Sequence, residues 1–524
     1  MKSNSVGKAA IAAAAAIILL AGCSGGGGGA SSSGDASSSV VVETSFDLKT
    51  IDPARQFEPT GSMLDHALYE SLLTFKDGDV SKPADGLASF KLSDGDKVMT
   101  LTMKDGATFS DGSAVTVDDA VFSLQRVQGI AGNPSFMLKD VKIEKTSDKT
   151  LTLTSPQSNP ALAFILPNPS LGIVNSKVVK ENGGTTDKND KAEAFLNKTS
   201  AGSGAYTLSS YDANSQVVLE ASPKYHGTAP AKKRVVVRNV AGETQALNIQ
   251  SGESQVALDL NPDQVKQLDK SAVNVLTEPS TDTVYLMMNQ SPAISAWTSN
   301  ADFNTAVKFG LDYGKILALA GDGAARPGGV VPSEFLGALP TEKGLQFDLD
   351  AAKKSLAASG YNGEEVVLSY PNDITLDGLQ MQPFAETIQS QLKAVGINLK
   401  LAPGPEATEL DNYRAGKEQM GLWTWGADYP DPSDYLVYLP GQNLGLRAVW
   451  KEGANGEIDS LGAKAVAASG DSERSTAYQD LQVALNEKGP FVSLIQPVKN
   501  LVTVKSIESA AANPIWQIDI ESIK

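Results

Sequence analysis

Between Glu365 and Leu401 the chain spells a strand, a long helix and a second strand, and this run limits the fold more than any other stretch. Glu365 to Tyr370 reads as a strand. Met381, Phe384, Ile388, Leu392 and Val395 then recur on one helical face, and Gly396 stops the helix. Ile397 to Leu401 alternates like a half-buried strand. A strand, helix and strand in this order form a crossover, which requires a partly parallel sheet covered by helices. The fold class is therefore α/β. Of the 524 residues, roughly 490 follow Ser39, with 41% of the whole chain hydrophobic. That length exceeds what one core usually supports, so at least two lobes are expected. No internal repeat is present.

The start of the chain has a different composition. Lys2 and Lys8 precede an apolar run from Ala9 to Ala21, which is followed by Gly22 and Cys23. The run is about 13 residues, short of the roughly 20 that span a bilayer, and it reads as an export signal. Leu20-Ala21-Gly22-Cys23 resembles the lipobox of bacterial lipoproteins, whose cysteine is acylated and becomes the first mature residue. Residues 1–22 are then a signal peptide and 23–39 a glycine–serine tether, reaching roughly 20–25 Å from a lipid anchor on Cys23. The expected location is the extracytoplasmic face of the cell membrane. Cys23 is the only cysteine, so the body folds without disulfides. The formal charge of −17 becomes −19 once Lys2 and Lys8 are removed, which disfavours nucleic acid and anionic lipid surfaces.

Further elements are legible along the body. Val98 to Met103 alternates as a strand, with turns at Asp105-Gly106 and Asp111-Gly112. Thr116 opens a helix with Asp119 as its capping-box partner, and Val117, Ala120, Val121, Leu124 and Val127 form its apolar stripe. Asp350 to Ser359 is another helix, stopped by Gly360, and Val284 to Met288 is a buried-strand run.

Four segments carry a likeness to a known family. They are Leu101 to Ser113 continuing to Asp118–Leu124, Ser203 to Leu208 with Pro223 to Gly227, Phe303 to Ile316, and Trp425-Gly426-Ala427-Asp428-Tyr429-Pro430-Asp431-Pro432. In this order they resemble the extracytoplasmic solute-binding proteins of ABC importers, in the oligopeptide, dipeptide and nickel-binding group. Thr305 stands where that family usually has an arginine. The resemblance implies a two-lobed, periplasmic-binding-protein-like fold of the large cluster C type, with a hinge and an extra subdomain in the first lobe. The implied divisions are 40–282 for the first lobe, with a subdomain inserted at about 76–202, then 283–494 for the second lobe and 495–524 for the return. The chain would cross near Thr281 to Leu286 and return near Ser493 to Gln496. The implied role is capture of a small solute, an oligopeptide before others, and delivery to ABC permease subunits by a monomer. A nickel chelate, an oligosaccharide or another small cation is the alternative cargo, and ligand sensing without transport the alternative role.

The resemblance also nominates residues. Asp428 follows Trp423-Thr424-Trp425-Gly426, and in peptide-binding members the matching aspartate pairs with the peptide α-ammonium. From its local sequence alone Asp428 either holds such a cation or caps the Tyr429-to-Pro432 turn, whereas Asp431 reads as the turn former. Trp423 and Trp425 lie two apart and so share a sheet face, either as pocket walls or as core. Gly426, Ala427 and Tyr429 complete the segment, and Phe57, Thr60 and Gly61 resemble the lining contributed by the first lobe. In dipeptide-binding members an arginine between strand and helix of the second lobe holds the peptide carboxylate. The matching stretch, Pro371 to Gly378, contains neither arginine nor lysine, so a longer peptide or another solute fits better. No catalytic constellation stands out. His66 and His226 are isolated, which leaves no metal centre, and no cofactor motif is present. Asp187 to Lys191 begins like a calcium loop but places a lysine where an oxygen ligand is needed.

Overall fold

A run of six buried residues, Thr283–Met288, forms the spine of the second lobe. Strands cover it on both edges and helices on both faces, so after Thr283 its sequence is continuously apolar rather than alternating. Met420–Trp425 and Phe491–Ile495 flank it antiparallel. Val366–Pro371 lies beyond Met420–Trp425 and runs parallel both to it and to the edge strand Leu399–Gly404. The mixed sheet expected from the crossover is present. The helix Met381–Val395 buries the stripe read from its spacing, and Gly396 ends it with φ of +112°. The second strand begins later than the alternation suggested, at Leu399, because Ile397 drops into the core before the chain joins the sheet. It then runs on through Pro403, which an edge strand tolerates because no neighbour needs its missing N–H.

The computed structural model describes residues 38–524 except Asp47 and Asp77. The expected signal segment, Cys23 and nearly all of the tether lie outside the described residues. The first lobe is built on a seven-stranded sheet in the order Val273–Pro279, Val498–Val504, Val256–Ala257, Ser39–Thr44, Arg234–Asn239, Gln216–Ala221 and Tyr206–Asp212. Ser39–Thr44 is central and pairs parallel with both neighbours. The chain leaves this sheet after Pro279, enters the other at Thr283, and returns between Ile495 and Val498. These two short crossings are bonded to each other. Ser280 N–H donates to the Pro497 carbonyl at 2.7 Å, and Gln496 Nε2 donates to the Ser280 carbonyl at 3.0 Å.

A four-stranded antiparallel sheet, Ala88–Ser93, Val98–Met103, Thr150–Thr154 and Lys142–Lys145, packs under the helix Val117–Ile130. Thr116 and Asp119 make the reciprocal capping box at the start of that helix. The same helix buries Arg126, which the apolar stripe did not foretell. Its guanidinium donates to both Asp52 oxygens at 2.6 Å and to Asp190 at 2.8 Å. The segment from Asp187 to Lys191 therefore presents Asp190 to an arginine, while Asp187 accepts Asn189 N–H in a local turn. Apolar packing joins the two lobes as well. Phe75, Val80 and Trp516 belong to the same cluster as Tyr285, Met287 and Trp423.

Candidate ligand-binding cleft

The strand Met420–Trp425 ends beside the hinge, and Gly426 and Ala427 carry the chain past the first crossing. A Cβ at Gly426 would collide with the Asp282 carboxylate, so glycine is what lets the strand end approach the crossing this closely. Asp428 follows. Its N–H donates to Asp434 Oδ2 at 3.0 Å, and its carbonyl accepts Asn168 Nδ2 from the first lobe at 3.1 Å. Its carboxylate receives no hydrogen bond from any described residue. Burial alone pushes it up to about 7. The adjacent Asp434 is fully enclosed, and burial with the neighbouring Asp428 charge holds it well above the usual carboxylate range.

Asp431 is used differently. It caps the 3-10 turn Pro432–Tyr438 by accepting Ser433 N–H at 2.9 Å, and Arg474 Nη2 reaches both of its oxygens at 2.7 Å. The two acids of one short segment thus divide. Asp431 is satisfied within the fold, and Asp428 faces a cavity without a partner.

That cavity, of about 200 Å³, is walled by Phe57, Glu58, Asn168, Gly426, Ala427 and Asp428, with Asp282 and Lys499 at one end. It adjoins a larger one of about 540 Å³, the two sharing Glu58, Pro59, Asp282, Lys499 and Gln517 as walls. Thr60 lines the larger cavity, as do Thr375, Leu376 and Asp377 from the second lobe. The structure therefore brings Asp428, Gly426, Ala427 and Phe57 together, with Thr60 close by. Phe57 also packs edge-to-face on Phe136 at 5.6 Å.

The other nominated residues lie elsewhere. Gly61 is packed against Gln56, where a side chain would clash. Tyr429 lines a separate 270 Å³ pocket between the second lobe and residues 155–161. Trp423 is buried, stacks on Tyr413 at 4.7 Å and donates its indole N–H to Glu418 at 2.8 Å. Trp425 packs on the same apolar cluster, and its buried indole nitrogen sits beside Asp434 without a hydrogen bond of normal geometry. Of the histidines, His66 is stacked on Trp516 at 4.0 Å and His226 lies 3.5 Å from Glu70.

Three charged residues of the cleft escaped the sequence reading. Lys499 Nζ lies 3.5 Å from Asp282 and 3.9 Å from Asp377. Burial pushes the Asp377 carboxyl up to about 7 despite Lys499, and one of its oxygens is enclosed without a hydrogen bond. The usable signal was position. Asp282 and Lys499 flank the two crossings, and Asp377 belongs to the lysine-free loop already singled out.

The profile of the bacterial extracellular solute-binding proteins, family 5, matches residues 82–444. The probable D,D-dipeptide-binding periplasmic protein DdpA of Escherichia coli is 29% identical over 492 residues, covering 91% of this chain and 92% of that protein. The substrate-binding protein CtaP of an ABC transporter from Listeria monocytogenes superposes with a TM-score of 0.81 at 20% identity, over 93% of this chain and 98% of its own. The periplasmic binding protein DppA of Helicobacter pylori, solved with the peptide STSA, superposes with a TM-score of 0.73 at 20% identity, over 92% and 97%.

Proposed function

This chain belongs to the bacterial extracellular solute-binding proteins of family 5, and on that premise we propose that its cleft captures an oligopeptide by the α-ammonium group and presents it to an ABC permease. The observation that carries the reading is the Asp428 carboxylate, half-buried in the cleft wall and left without a hydrogen-bond donor. A partly desolvated carboxylate is costly unless a cation or donors compensate it, and a peptide ammonium supplies both. The relative named for D,D-dipeptides, and the neighbour solved with STSA, support a peptide as cargo. The role is binding rather than catalysis. Gly426 and Ala427 add backbone groups along which an extended peptide lies, and Phe57 supplies an apolar wall.

Calorimetry with free and N-acetylated tripeptides tests the assignment. Free peptides should bind, acetylation should abolish most of the affinity, and Asp428→Asn should weaken binding about tenfold to a hundredfold. Equal affinity for acetylated peptide would place the ammonium elsewhere.

The same reading puts the protein on the outer face of the membrane through a lipid on Cys23. Among the described residues no helix is long and apolar enough to cross a membrane. Cys23→Ser should end incorporation of radiolabelled palmitate; labelling that survives the change would exclude this attachment.

A further inference from the structure

The larger cavity carries an unbalanced charge. Glu58, Asp259, Glu278, Asp282 and Asp377 line it, against Lys49 and Lys499 alone. Some of these acids are engaged within the fold. Asp259 accepts Ser45 N–H and Gln245 Nε2, and Glu58 accepts Lys49 N–H. Lys499 is shared between two carboxyl groups, at 3.5 Å from Asp282 and 3.9 Å from Asp377. Asp377 is the less well served. Its contact with Lys499 is the longer, and its second oxygen is enclosed without a hydrogen bond. The loop that carries it forms the second-lobe wall of the cavity through Thr375, Leu376 and Asp377. Burial raises this carboxyl and the neighbouring Asp282 charge adds to the rise, while Lys499 lowers it.

We infer that this cavity is a second cation-receiving subsite, in which Asp377 and Asp282 take a positively charged side chain of a peptide whose α-ammonium sits at Asp428. The inference rests on the peptide reading above and adds a substrate class to it: the protein selects cationic peptides. The shared walls at Glu58, Asp282 and Lys499 make the two cavities one continuous cleft, so a single ligand can reach both acids. The pocket is partly open to solvent, and Lys499 keeps a side-chain exposure of 37%, which leaves it free to swing from Asp377 when a ligand cation arrives. An incoming lysine or arginine then converts one shared ammonium into two cations for two carboxylates. A glutamate at the same place would add a third carboxylate beside them, and like charges in a partly desolvated site repel.

The test compares Ala-Ala-Ala, Ala-Lys-Ala and Ala-Glu-Ala by calorimetry on the purified protein at low salt. The lysine peptide should bind about tenfold tighter than the alanine peptide, and the glutamate peptide more weakly than both. Asp377→Asn, which keeps shape and removes charge, should erase the preference for lysine, so that Ala-Lys-Ala and Ala-Ala-Ala bind the variant alike. Asp428→Asn should weaken all three together. Equal binding of the three peptides by the unmodified protein overturns the cationic subsite and leaves the peptide reading standing. Binding of none of them overturns both. A lysine preference that survives in Asp377→Asn, with the variant melting like the parent protein, also overturns the assignment to this loop.

Discussion

On the proposed reading, Asp428 sets holding a ligand against holding the fold. Its folded pKa of about 7 lies above the value near 3.9 of an unperturbed aspartate, and the cause is burial. For an acid raised in this way the folded state retains a proton that the unfolded chain releases. Stability is therefore fully present below the unfolded value and is lost as pH rises through the window from about 4 to 7. Above that window the carboxylate is charged, without a hydrogen-bond donor and next to Asp434, which is the state the proposed cation binding requires. Asp428→Asn should accordingly melt higher than the parent protein at pH 8, and the gap should close toward pH 4. Differential scanning calorimetry across that range measures it. A variant that melts lower at pH 8 would show that the carboxylate supports the turn, and would remove the reason for calling it a binding group. Asp431, with Arg474 on both oxygens, has no such conflict, and breaking a buried pair of that kind costs about 3–5 kcal/mol.

Elements were legible where a local rule sets them. The helical stripe with its glycine stop, the capping box of Thr116 and Asp119, and the apolar run of Thr283–Met288 depend on neighbours within a few residues. The charged half of the cleft was not legible, because Asp282, Asp377 and Lys499 meet only after two crossings and a loop of the other lobe come together. No spacing in the chain encodes that meeting. Trp423 and Trp425 show the limit in another form. Alternation puts both on one face of their strand, but only the packing of Tyr413 and Glu418 decides that Trp423 is core. Arg126 is the converse case, a charge inside an apolar helix face. Two carboxylates from distant segments, Asp52 and Asp190, make its burial tolerable. Polar groups of this kind follow from the assembled fold, and the elements that carry them follow from the sequence.

At the scale of the molecule, polar and apolar contacts join the two lobes beside the hinge. Among the polar ones are Lys499 with Asp377 at 3.9 Å and Asn168, which donates to the Asp428 carbonyl at 3.1 Å while its oxygen caps the short turn Pro169–Leu171. Phe75, Val80 and Trp516 supply the apolar contribution. A ligand between the lobes stabilises closure only by its differential affinity for the closed form, and its apparent affinity scales with the fraction already closed. Asn168→Asp retains the acceptor that caps the turn and replaces the bridging donor with an oxygen facing a carbonyl. It should shift the unliganded protein toward the open form without unfolding it. The hydrogen bond is worth about 0.5–1.5 kcal/mol, so peptide affinity should fall roughly two- to tenfold. Small-angle scattering should give a larger radius of gyration for the unliganded variant, and the same radius as the parent once peptide saturates it. An unchanged unliganded radius together with unchanged affinity would show that Asn168 does not hold the lobes, and would leave closure to the apolar cluster and the Lys499–Asp377 contact.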